Sequence, residues 1–575
     1  MENLELLRKE MRSADLDGLV NIRNVILWQG YKKHYNLSRI RAKAEAKAEL
    51  FSSMPKKVYK HDLVLGSMAG IFSKSANPAE LSYADRVCES YGINDFETNR
   101  DHFTPDFEYF LAKGIGGVIK DIEISRSKYA SDPSKSEFLA CCKICLEGLS
   151  SMALSYADTA EKHGKTAEGK ICRNIVKNHP QSFREALQLV WLIEESFFAE
   201  GRDAMALGRM DMYLLPFYEN DVKKGVLTPE FAAQLLACTL LKIDEHRLFS
   251  NTEDVINICI GGEKPCGGRA ANELTYLILD AVRLCAVSGP NLSARVSPRD
   301  TDKFFDACLD VISDGIGYPA MINDDVNIPA LKKYGYSDDD CNNYSMVGCI
   351  ESFISGKQPP WSDGRFNIPL YIEYAVNGGR SLRTGALLGA DTPDAESIDT
   401  MDKFLDAVRT QLAFGADEYA ALFNNKNDLY NPRALSQPYL SCFCQTCVER
   451  GLDIRGGGAP YPSAHGAGLT ALIHSVTKPD YTQCACGTVI NLKFTGSFFK
   501  DRKKRDKLRD ALRIYFERGG QEIQINCVSG QKLKDAAEHP ENYEDLVVRV
   551  SGFSAFYTHL SRAVQMDILE RTEYE

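Results

Sequence analysis

Short β-rich runs alternate with helical segments through the middle of the sequence, and this alternation limits the fold more than any other feature. The β-rich runs, each bounded by turn residues, are VINICIGG (255–262), NLSARV (291–296), YPAMINDD (318–325), NYSMVGCIES (343–352) and TVINLKF (488–494). The helical segments among them are 269–287, 301–314 and 402–423. Because parallel strands need long crossover connections, commonly helices, the pattern predicts an α/β layer or barrel with parallel strands.

The first 250 residues have a different, mostly helical character. Helical spacing or good helix formers mark residues 39–53, 104–123, 136–162, 181–199 and 229–243. The sequence contains no internal repeat, and the segment 452–468, rich in Gly and Pro, is interpreted as a long loop or a seam.

Composition excludes some functional classes. The net charge of −11 argues against a general nucleic-acid binder, which needs a basic surface. The N-terminus lacks the apolar core of a signal peptide, and no run approaches 18 apolar residues, so neither export nor a membrane span is expected. Eighteen cysteines without an export signal indicate a reducing, cytoplasmic compartment.

Cys349 and Glu351 form the first candidate site, at the end of the run YSMVGCIES. At strand spacing the two side chains share a face. A neighbouring carboxylate disfavours a thiolate, so the pair does not suit ionic nucleophilic catalysis. It suits hydrogen-atom transfer by sulfur and proton transfer by the carboxylate. The alternative is that Cys349 is a small buried apolar residue.

Other clusters allow competing interpretations. Metal ligands could come from CFCQTC (Cys442, Cys444, Cys447) and QCAC (Cys484, Cys486), although neither has a paired CxxC layout. His465 is a loop residue and a possible acid or base. Gly552, in RVSGFSAFY, is ordinarily a turn residue, because glycine adopts positive φ without steric cost.

The C-terminal stretch RVSGFSAFYTHLSRAVQMDILERTEYE (549–575) closely resembles the signature of glycyl radical enzymes. MVGCIES resembles the cysteine loop of the same family, in its Gly-Cys-x-Glu branch. Further resemblance spans most of the chain in order, including PNLSARVS (290–297), GYPAMINDDVNIPAL (317–331) and GTVINLKF (487–494).

This resemblance implies a ten-stranded barrel of two parallel half-sheets surrounded by helices. It implies a barrel domain over residues 1–480 and a glycine radical domain over 481–575. Gly552 then stores the radical, Cys349 becomes a thiyl radical, and Glu351 is the general base or acid. The resemblance also implies no bound cofactor, a separate activating enzyme that uses S-adenosylmethionine and an iron–sulfur cluster, and a homodimer acting on a small molecule.

The reaction expected from the resemblance is elimination. Gly348 precedes Cys349, whereas pyruvate formate-lyases carry two adjacent cysteines, so that branch is disfavoured. We expect a carbon–oxygen lyase, a dehydratase of a small hydroxylated substrate. The alternatives are another carbon–heteroatom lyase, C–N or C–S, an arylacetate decarboxylase, and a non-enzymatic cysteine-rich redox or metal-binding protein.

Three further residues are candidate substrate contacts. Asp363, in WSDGRFNI, resembles a substrate-binding aspartate of the diol dehydratases, or is a helix cap. Arg202 and Asp203 are further candidate contacts, in a stretch (200–211) where diol dehydratases carry a different, NGHS-like pattern. The chain is also short between Gly458 and His474, where relatives carry a longer insertion.

Overall fold

The computed structural model describes residues 2–13, 15–93, 102–202, 204–250, 256–333, 335–349, 351–358, 368–427, 468–477, 480–483, 487–571 and 573–575. These residues form two compact units. The N-terminal unit is drawn from Met1–Ile256, Glu273–Pro290 and Gly356–Trp361. The C-terminal unit is drawn from Asn257–Asn272, Asn291–Ser355 and Ser362–Glu575.

The N-terminal unit is built of helices. They are Glu2–Arg12, Arg23–His34, Arg39–Ser53, Pro78–Ser90, Phe107–Lys128, Pro133–Lys162, Thr166–Lys177, Phe183–Ala199, Met210–Tyr213, Leu215–Lys223, Pro229–Ser250 and Glu273–Cys285, with a 3₁₀ turn at Met68–Ile71. Two short strands, β1 (Val20–Asn21) and β2 (Phe72–Ser73), pair antiparallel. The helical prediction for this part of the chain is confirmed.

Local sequence fixes several of these helix starts. The Ser182 hydroxyl accepts a hydrogen bond from the Glu185 N–H at 3.3 Å and caps Phe183–Ala199. Asp132 caps Pro133–Lys162, and Pro133 occupies the first turn, where its missing N–H does no harm.

Helix Pro133–Lys162 is long and apolar enough to cross a membrane by length and composition alone. It packs against the helices Arg39–Ser53, Phe107–Lys128 and Thr166–Lys177. Core helices of globular domains pass the same test, so one such helix is weak evidence of a membrane span.

The C-terminal unit contains a six-stranded sheet. Its strands are β3 (Asn257–Gly261), β4 (Asn291–Val296), β5 (Ala320–Asn323), β8 (Val489–Phe494), β9 (Glu522–Cys527) and β12 (Glu573–Tyr574), in the order β12-β8-β9-β5-β4-β3. Strands β3, β4 and β5 are parallel to one another, as are β12, β8 and β9. Strands β5 and β9 join the two groups in antiparallel orientation. The prediction of parallel half-sheets is therefore confirmed.

Along the chain, the helices of this unit lie between and around the strands of the sheet. They are Asp302–Ser313, Asp324–Lys333, Asp338–Asn342, Ile368–Val376, Met401–Asn427, Gly468–Val476, Gly496–Lys500, Arg502–Glu517, Gly530–Glu538 and Arg562–Glu570, with short 3₁₀ turns at Ala395–Ser397, Tyr481–Gln483, Pro540–Asn542 and Tyr557–His559. Strands β4 and β8 match the predicted runs 291–296 and 488–494 closely.

Two hairpins complete the C-terminal unit. Strands β6 (Ser345–Val347) and β7 (Glu351–Phe353) pair antiparallel, with Val347 opposite Glu351. Strands β10 (Val547–Arg549) and β11 (Ser554–Phe556) pair likewise, with Arg549 opposite Ser554. The predicted single run 343–352 is thus two strands and a turn, and Cys349 lies in that turn.

Candidate active site

The turns of the two hairpins carry the two residues singled out by the sequence. Cys349 follows Gly348, whose φ is +52°, in the β6–β7 turn, here called the cysteine turn (residues 348–349). Gly552, with φ of +83°, lies in the β10–β11 turn, here called the glycine turn (residues 550–553). The backbone N–H of Val550 closes the glycine turn by donating to the Phe553 carbonyl at 2.9 Å. Positive φ favours glycine at both positions.

One side-chain amide joins the two turns. Asn291, at the start of β4, is 2% exposed. Its Nδ2 donates to the Gly348 carbonyl at 2.7 Å and to the Gly552 carbonyl at 2.5 Å. The Asn257 amide, directly opposite on β3, also donates to the Gly348 carbonyl at 3.5 Å. The peptide before Cys349 and the peptide after Gly552 are therefore held by the same group.

A ring of hydrogen bonds closes around Gly552. The Gly552 N–H donates to Gln524 Oε1 at 2.8 Å, and the Arg549 Nε donates to the same oxygen at 2.8 Å. Arg549 Nη1 donates to Asn291 Oδ1 at 2.6 Å. Since Asn291 in turn donates to the Gly552 carbonyl, both amide groups of the glycine are engaged. The three side chains are fully buried or nearly so, as buried polar groups with partners usually are.

Further polar contacts anchor the strand before the glycine turn. The Asn526 side chain accepts from the Arg549 N–H at 2.7 Å and donates to the Arg549 carbonyl at 2.8 Å. Asn491 Nδ2 donates to the Ser551 hydroxyl at 3.1 Å. Arg571 donates to the carbonyls of Arg549 and Val550, at 3.1 and 2.5 Å, and pairs with Asp567. The backbone of the glycine turn is thus held from the sheet and from the last helix.

Glu351 contacts the cysteine turn directly. Its Oε2 accepts a hydrogen bond from the Cys349 N–H at 2.8 Å. The two side chains were expected to share a strand face. Because Cys349 lies in a turn, that argument does not apply, and the backbone hydrogen bond relates the two residues instead. Glu351 is buried, and Cys349 is half-buried and packs against Val489 on β8.

A second carboxyl group lies on the same part of the sheet. Glu522 begins β9, is 1% exposed and pairs in register with Val489, the residue that Cys349 contacts. Its Oε1 accepts from Gln524 Nε2 at 2.5 Å, and its Oε2 has no hydrogen-bond partner among the described residues.

Burial dominates the electrostatics of this region. It raises the pKa of Glu522 to about 8, and the nearby Glu351 charge adds to the rise, while Gln524 and Arg549 oppose it. Burial lowers the pKa of Arg549 to about 10, against the attraction of Glu522 and Cys349. At neutral pH, Arg549 therefore carries its charge and Glu522 holds a proton.

Of the remaining predicted site residues, Arg202 is the one that lies within the described residues. Arg202 is half-buried in the N-terminal unit, where its N–H donates to the Phe197 carbonyl at 2.9 Å. Asp203, Asp363, His465 and the clusters Cys442–Cys444–Cys447 and Cys484–Cys486 lie outside the described residues. Within the residues that are described, no three His, Cys, Asp or Glu side chains group as metal ligands.

Sequence reasoning missed Asn291, Gln524, Arg549 and Glu522 as site residues. For Asn291 a signal was present, because it is a polar residue at the start of a run that otherwise reads as a buried strand. Such residues need hydrogen-bonding partners. Their partners come from distant segments, with 261 residues between Asn291 and Gly552, so the sequence alone could not pair them.

Comparison with known proteins identifies the family. The family model described as Pyruvate formate lyase-like matches residues 17–477, and the one described as Glycine radical matches residues 455–558. (2S)-3-sulfopropanediol dehydratase of Klebsiella oxytoca is 23% identical, over 84% of this chain and 79% of that protein. Isethionate sulfite-lyase of Nitratidesulfovibrio vulgaris is 27% identical, over 69% of this chain and 48% of that protein.

Solved structures show the same fold. The B12-independent glycerol dehydratase of Clostridium butyricum matches with a TM-score of 0.79 and 20% identity, over 100% of this chain and 99% of that one. The predicted barrel fold is confirmed at that level, although six of the ten expected strands form the main sheet within the described residues. The chain belongs to the pyruvate formate-lyase-like family and is a glycyl radical enzyme of its dehydratase and lyase group.

Proposed function

We propose that this enzyme is a dehydratase of a small hydroxylated molecule, in which Gly552 stores the radical, Cys349 passes it to substrate and Glu351 moves the proton. The observation that carries the proposal is the Asn291 amide, which donates both to the carbonyl before Cys349 and to that of Gly552. A hydrogen atom can pass between two residues only if they are held close together, and one shared amide does this.

Glycine suits radical storage for a chemical reason. Loss of one Cα hydrogen leaves a planar carbon whose unpaired electron is shared with the flanking nitrogen and carbonyl, and glycine has no Cβ to strain that geometry. The buried position of Gly552 supports this role, because a dry site protects a reactive intermediate. Installing the radical is assigned to a separate activating enzyme that uses S-adenosylmethionine and an iron–sulfur cluster.

Turnover then begins with two hydrogen-atom transfers. The Gly552 radical takes the hydrogen of the Cys349 thiol, giving an intact glycine and a thiyl radical. The thiyl takes a hydrogen atom from the hydroxyl-bearing carbon of the substrate, restoring the thiol and leaving a carbon radical. A neutral thiol is needed for both transfers. A carboxylate at Glu351, beside the Cys349 backbone, acts in this direction, because a negative charge disfavours thiolate, whereas the Arg549 charge acts against it.

Glu351 is the proposed base in the elimination. It accepts the proton of the hydroxyl on the radical carbon, and the electron pair released expels the neighbouring hydroxide. The product radical, now a carbonyl compound, takes the hydrogen atom back from Cys349, and the thiyl regains its hydrogen from Gly552. The net change is loss of water, with the radical returned to glycine.

The departing hydroxide needs a proton, and Glu522 is the proposed acid. The proton that Glu351 took from the substrate is returned to Glu522 before the next turnover. Its carboxyl group is buried, keeps its proton at neutral pH and has an unpartnered oxygen among the described residues. Glu351, by contrast, accepts a hydrogen bond from the Cys349 backbone N–H. Two carboxyl groups in different environments can divide base and acid duties in this way.

Other eliminations by the same radical are the alternatives. The isethionate sulfite-lyase relatives support a carbon–sulfur lyase, and a 4-hydroxyphenylacetate decarboxylase subunit of Clostridioides difficile, 23% identical, supports a decarboxylase. Dehydratases of sulfopropanediol and of trans-4-hydroxy-L-proline, and a structure of glycerol dehydratase, favour water as the leaving group.

Substrate turnover tests the proposal. The anaerobically activated enzyme should convert at least one of glycerol, 1,2-propanediol, sulfopropanediol and hydroxyproline to its dehydrated product, detected by mass spectrometry, and the Cys349→Ser variant should not. Isethionate and 4-hydroxyphenylacetate belong in the same panel. Release of sulfite or carbon dioxide, with no dehydration, would favour the alternatives.

Several further assignments belong to the same proposal. Asp363, Asp203 and Arg202 are proposed substrate contacts, and the chain is proposed to divide into a barrel domain (1–480) and a glycine radical domain (481–575). A homodimer and a cytoplasmic, anaerobic setting are proposed from the resemblance to the family. Light scattering of the purified protein tests the dimer.

A further inference from the structure

We propose that Gln524 and Asn291 polarise the two amide groups that flank the Gly552 Cα, and so set how far the unpaired electron spreads from that carbon. This inference rests on the proposed function, in which Gly552 carries the radical. It gives these two side chains a role in the energy of the radical as well as in the position of the turn.

The nitrogen side of Gly552 faces an oriented acceptor. Gln524 Oε1 accepts the Gly552 N–H at 2.8 Å. The orientation of this amide follows from its other contacts, because its Nε2 donates to Glu522 Oε1 at 2.5 Å and its oxygen also accepts from Arg549 Nε at 2.8 Å. A reversed amide would place its nitrogen against two donors.

The carbonyl side faces an oriented donor. Asn291 Nδ2 lies 2.5 Å from the Gly552 oxygen. Its orientation is fixed in the same way, since Arg549 Nη1 donates to Asn291 Oδ1 at 2.6 Å. The Arg549 guanidinium therefore sets both amides, one through each of two nitrogens.

These two contacts act in the same direction on a radical at Cα. The radical is stabilised by electron donation from nitrogen and electron withdrawal by the carbonyl. An acceptor on the N–H raises the electron density of the nitrogen, and a donor on the carbonyl oxygen lowers that of the carbonyl. Both effects spread the unpaired electron away from Cα. Burial of all three side chains strengthens them, because hydrogen bonds are stronger in a low dielectric.

Electron paramagnetic resonance of single variants tests the inference, because the splitting of the glycine doublet reports the spin density on Cα. Asn291→Leu removes the donor while keeping the branching at Cγ, and should enlarge the splitting. Gln524→Glu places a carboxylate on the N–H and should reduce the splitting. One of its oxygens faces Arg549 Nε and the Gly552 N–H, and the other faces the Glu522 carboxyl group, which holds the proton. Loosening of the turn alone would change the splitting in the same direction in both variants. Changes of opposite sign therefore distinguish the effect of the hydrogen bonds from loosening.

Asn491→Ala is the matched control. Asn491 pairs in register with Gln524 and donates to the hydroxyl of Ser551, the residue before Gly552. The glycine doublet of the Asn491→Ala variant should have the same splitting as that of the wild type. Unchanged splittings in Asn291→Leu and Gln524→Glu, or shifts of one sign shared by all three variants, would overturn the inference. Absence of any doublet in the wild type would instead overturn the radical site itself, and this inference with it.

A measurement on the wild-type protein covers the case in which a variant fails to fold. Electron–nuclear double resonance of the activated enzyme after exchange into D₂O should detect two classes of exchangeable deuteron near the radical. One is on the Gly552 nitrogen, and the other is on the Asn291 amide, hydrogen-bonded to the Gly552 carbonyl oxygen. Detection of the nitrogen deuteron alone would contradict the assigned role of Asn291.

Discussion

The carboxylate of Glu351 has two proposed duties, holding the Cys349 backbone and accepting a proton from substrate. Glu351→Gln separates them, because the amide oxygen can still accept the Cys349 N–H but the side chain cannot act as a base. We expect turnover to fall by about 10²–10⁴-fold with the glycine doublet unchanged.

Ser352→Ala is the control for that experiment. Ser352 is the next residue of β7, and its hydroxyl accepts a hydrogen bond from Asn327 Nδ2 at 3.0 Å. The Ser352→Ala variant should turn over substrate at a rate near that of the wild type. A Glu351→Gln variant with turnover within a few-fold of the wild type would exclude the general-base role.

Burial of Glu522 makes a prediction about stability and pH. Its pKa is about 8 in the folded protein, against about 4.3 for an exposed glutamate, so the folded state keeps a proton that the unfolded state has lost. The wild type should therefore lose stability relative to Glu522→Gln as pH rises from about 4 to about 8. The charges facing this carboxyl are Glu351 and Arg549.

Melting temperatures of the two proteins across that pH range check the sign. The difference between Glu522→Gln and the wild type should grow in favour of the variant up to about pH 8 and then level off. A difference that stays constant with pH would mean that Glu522 is charged in the folded protein throughout. The same variant, if Glu522 is the acid, should also lose turnover while keeping its doublet.

Individual site residues differ in how far the sequence could predict them. Gly552, Cys349 and Glu351 lie in local motifs, so the residues next to them in the sequence are enough to predict them. Asn291 and Gln524 carry no such local pattern, since an asparagine in NLSARV and a glutamine in EIQINC have many possible uses. Their roles follow from strand register and from hydrogen bonds to Gly552, at sequence separations of 261 and 28.

The glycine hairpin (β10–β11) depends on a close approach by the segment before β5. Gly317 has φ of +77°, and a Cβ there would lie 2.9 Å from Ser554 Oγ and 3.0 Å from Arg549 Cβ and N. Gly317→Ala should therefore destabilise the protein by more than the roughly 1 kcal/mol typical of a backbone effect alone, and should lower the radical yield.

Gly335→Ala is the matched control for the hairpin. Gly335 has a similar φ of +84°, and no atom lies within 4 Å of the Cβ it would gain. The two variants share the backbone strain and differ in the contact with the hairpin. Equal losses of melting temperature and radical yield in both would contradict a contact between Gly317 and the hairpin.

Strands and helices were predictable in different degrees. The runs 291–296 and 488–494 were assigned almost to the residue, because alternation of apolar side chains between turn residues is a local signal. Strand β9 was not assigned, although Glu522–Cys527 alternates polar and apolar residues as a half-buried strand does. The sequence did not predict the cysteine turn either, because the single glycine in NYSMVGCIES does not show where the first strand ends and the second begins.

The order of strands belongs to the whole molecule, and only the resemblance to the family anticipated it. Alternating elements predict parallel strands, and β3, β4 and β5 follow that rule with crossover helices between them. The antiparallel join of β5 and β9 brings together residues 321–322 and 522–523, and no local signal links those segments. That join sets Glu522 and Gln524 beside the strands that carry Asn291, and so makes the site possible.

The central claim is that Gly552 stores the radical, and electron paramagnetic resonance after anaerobic activation tests it most directly. The wild type should show a glycine-centred doublet, Cys349→Ser should keep it, and Gly552→Ala should lose it. A doublet that persists in Gly552→Ala, or a wild type that gives none while a known relative is activated under the same conditions, would contradict the account.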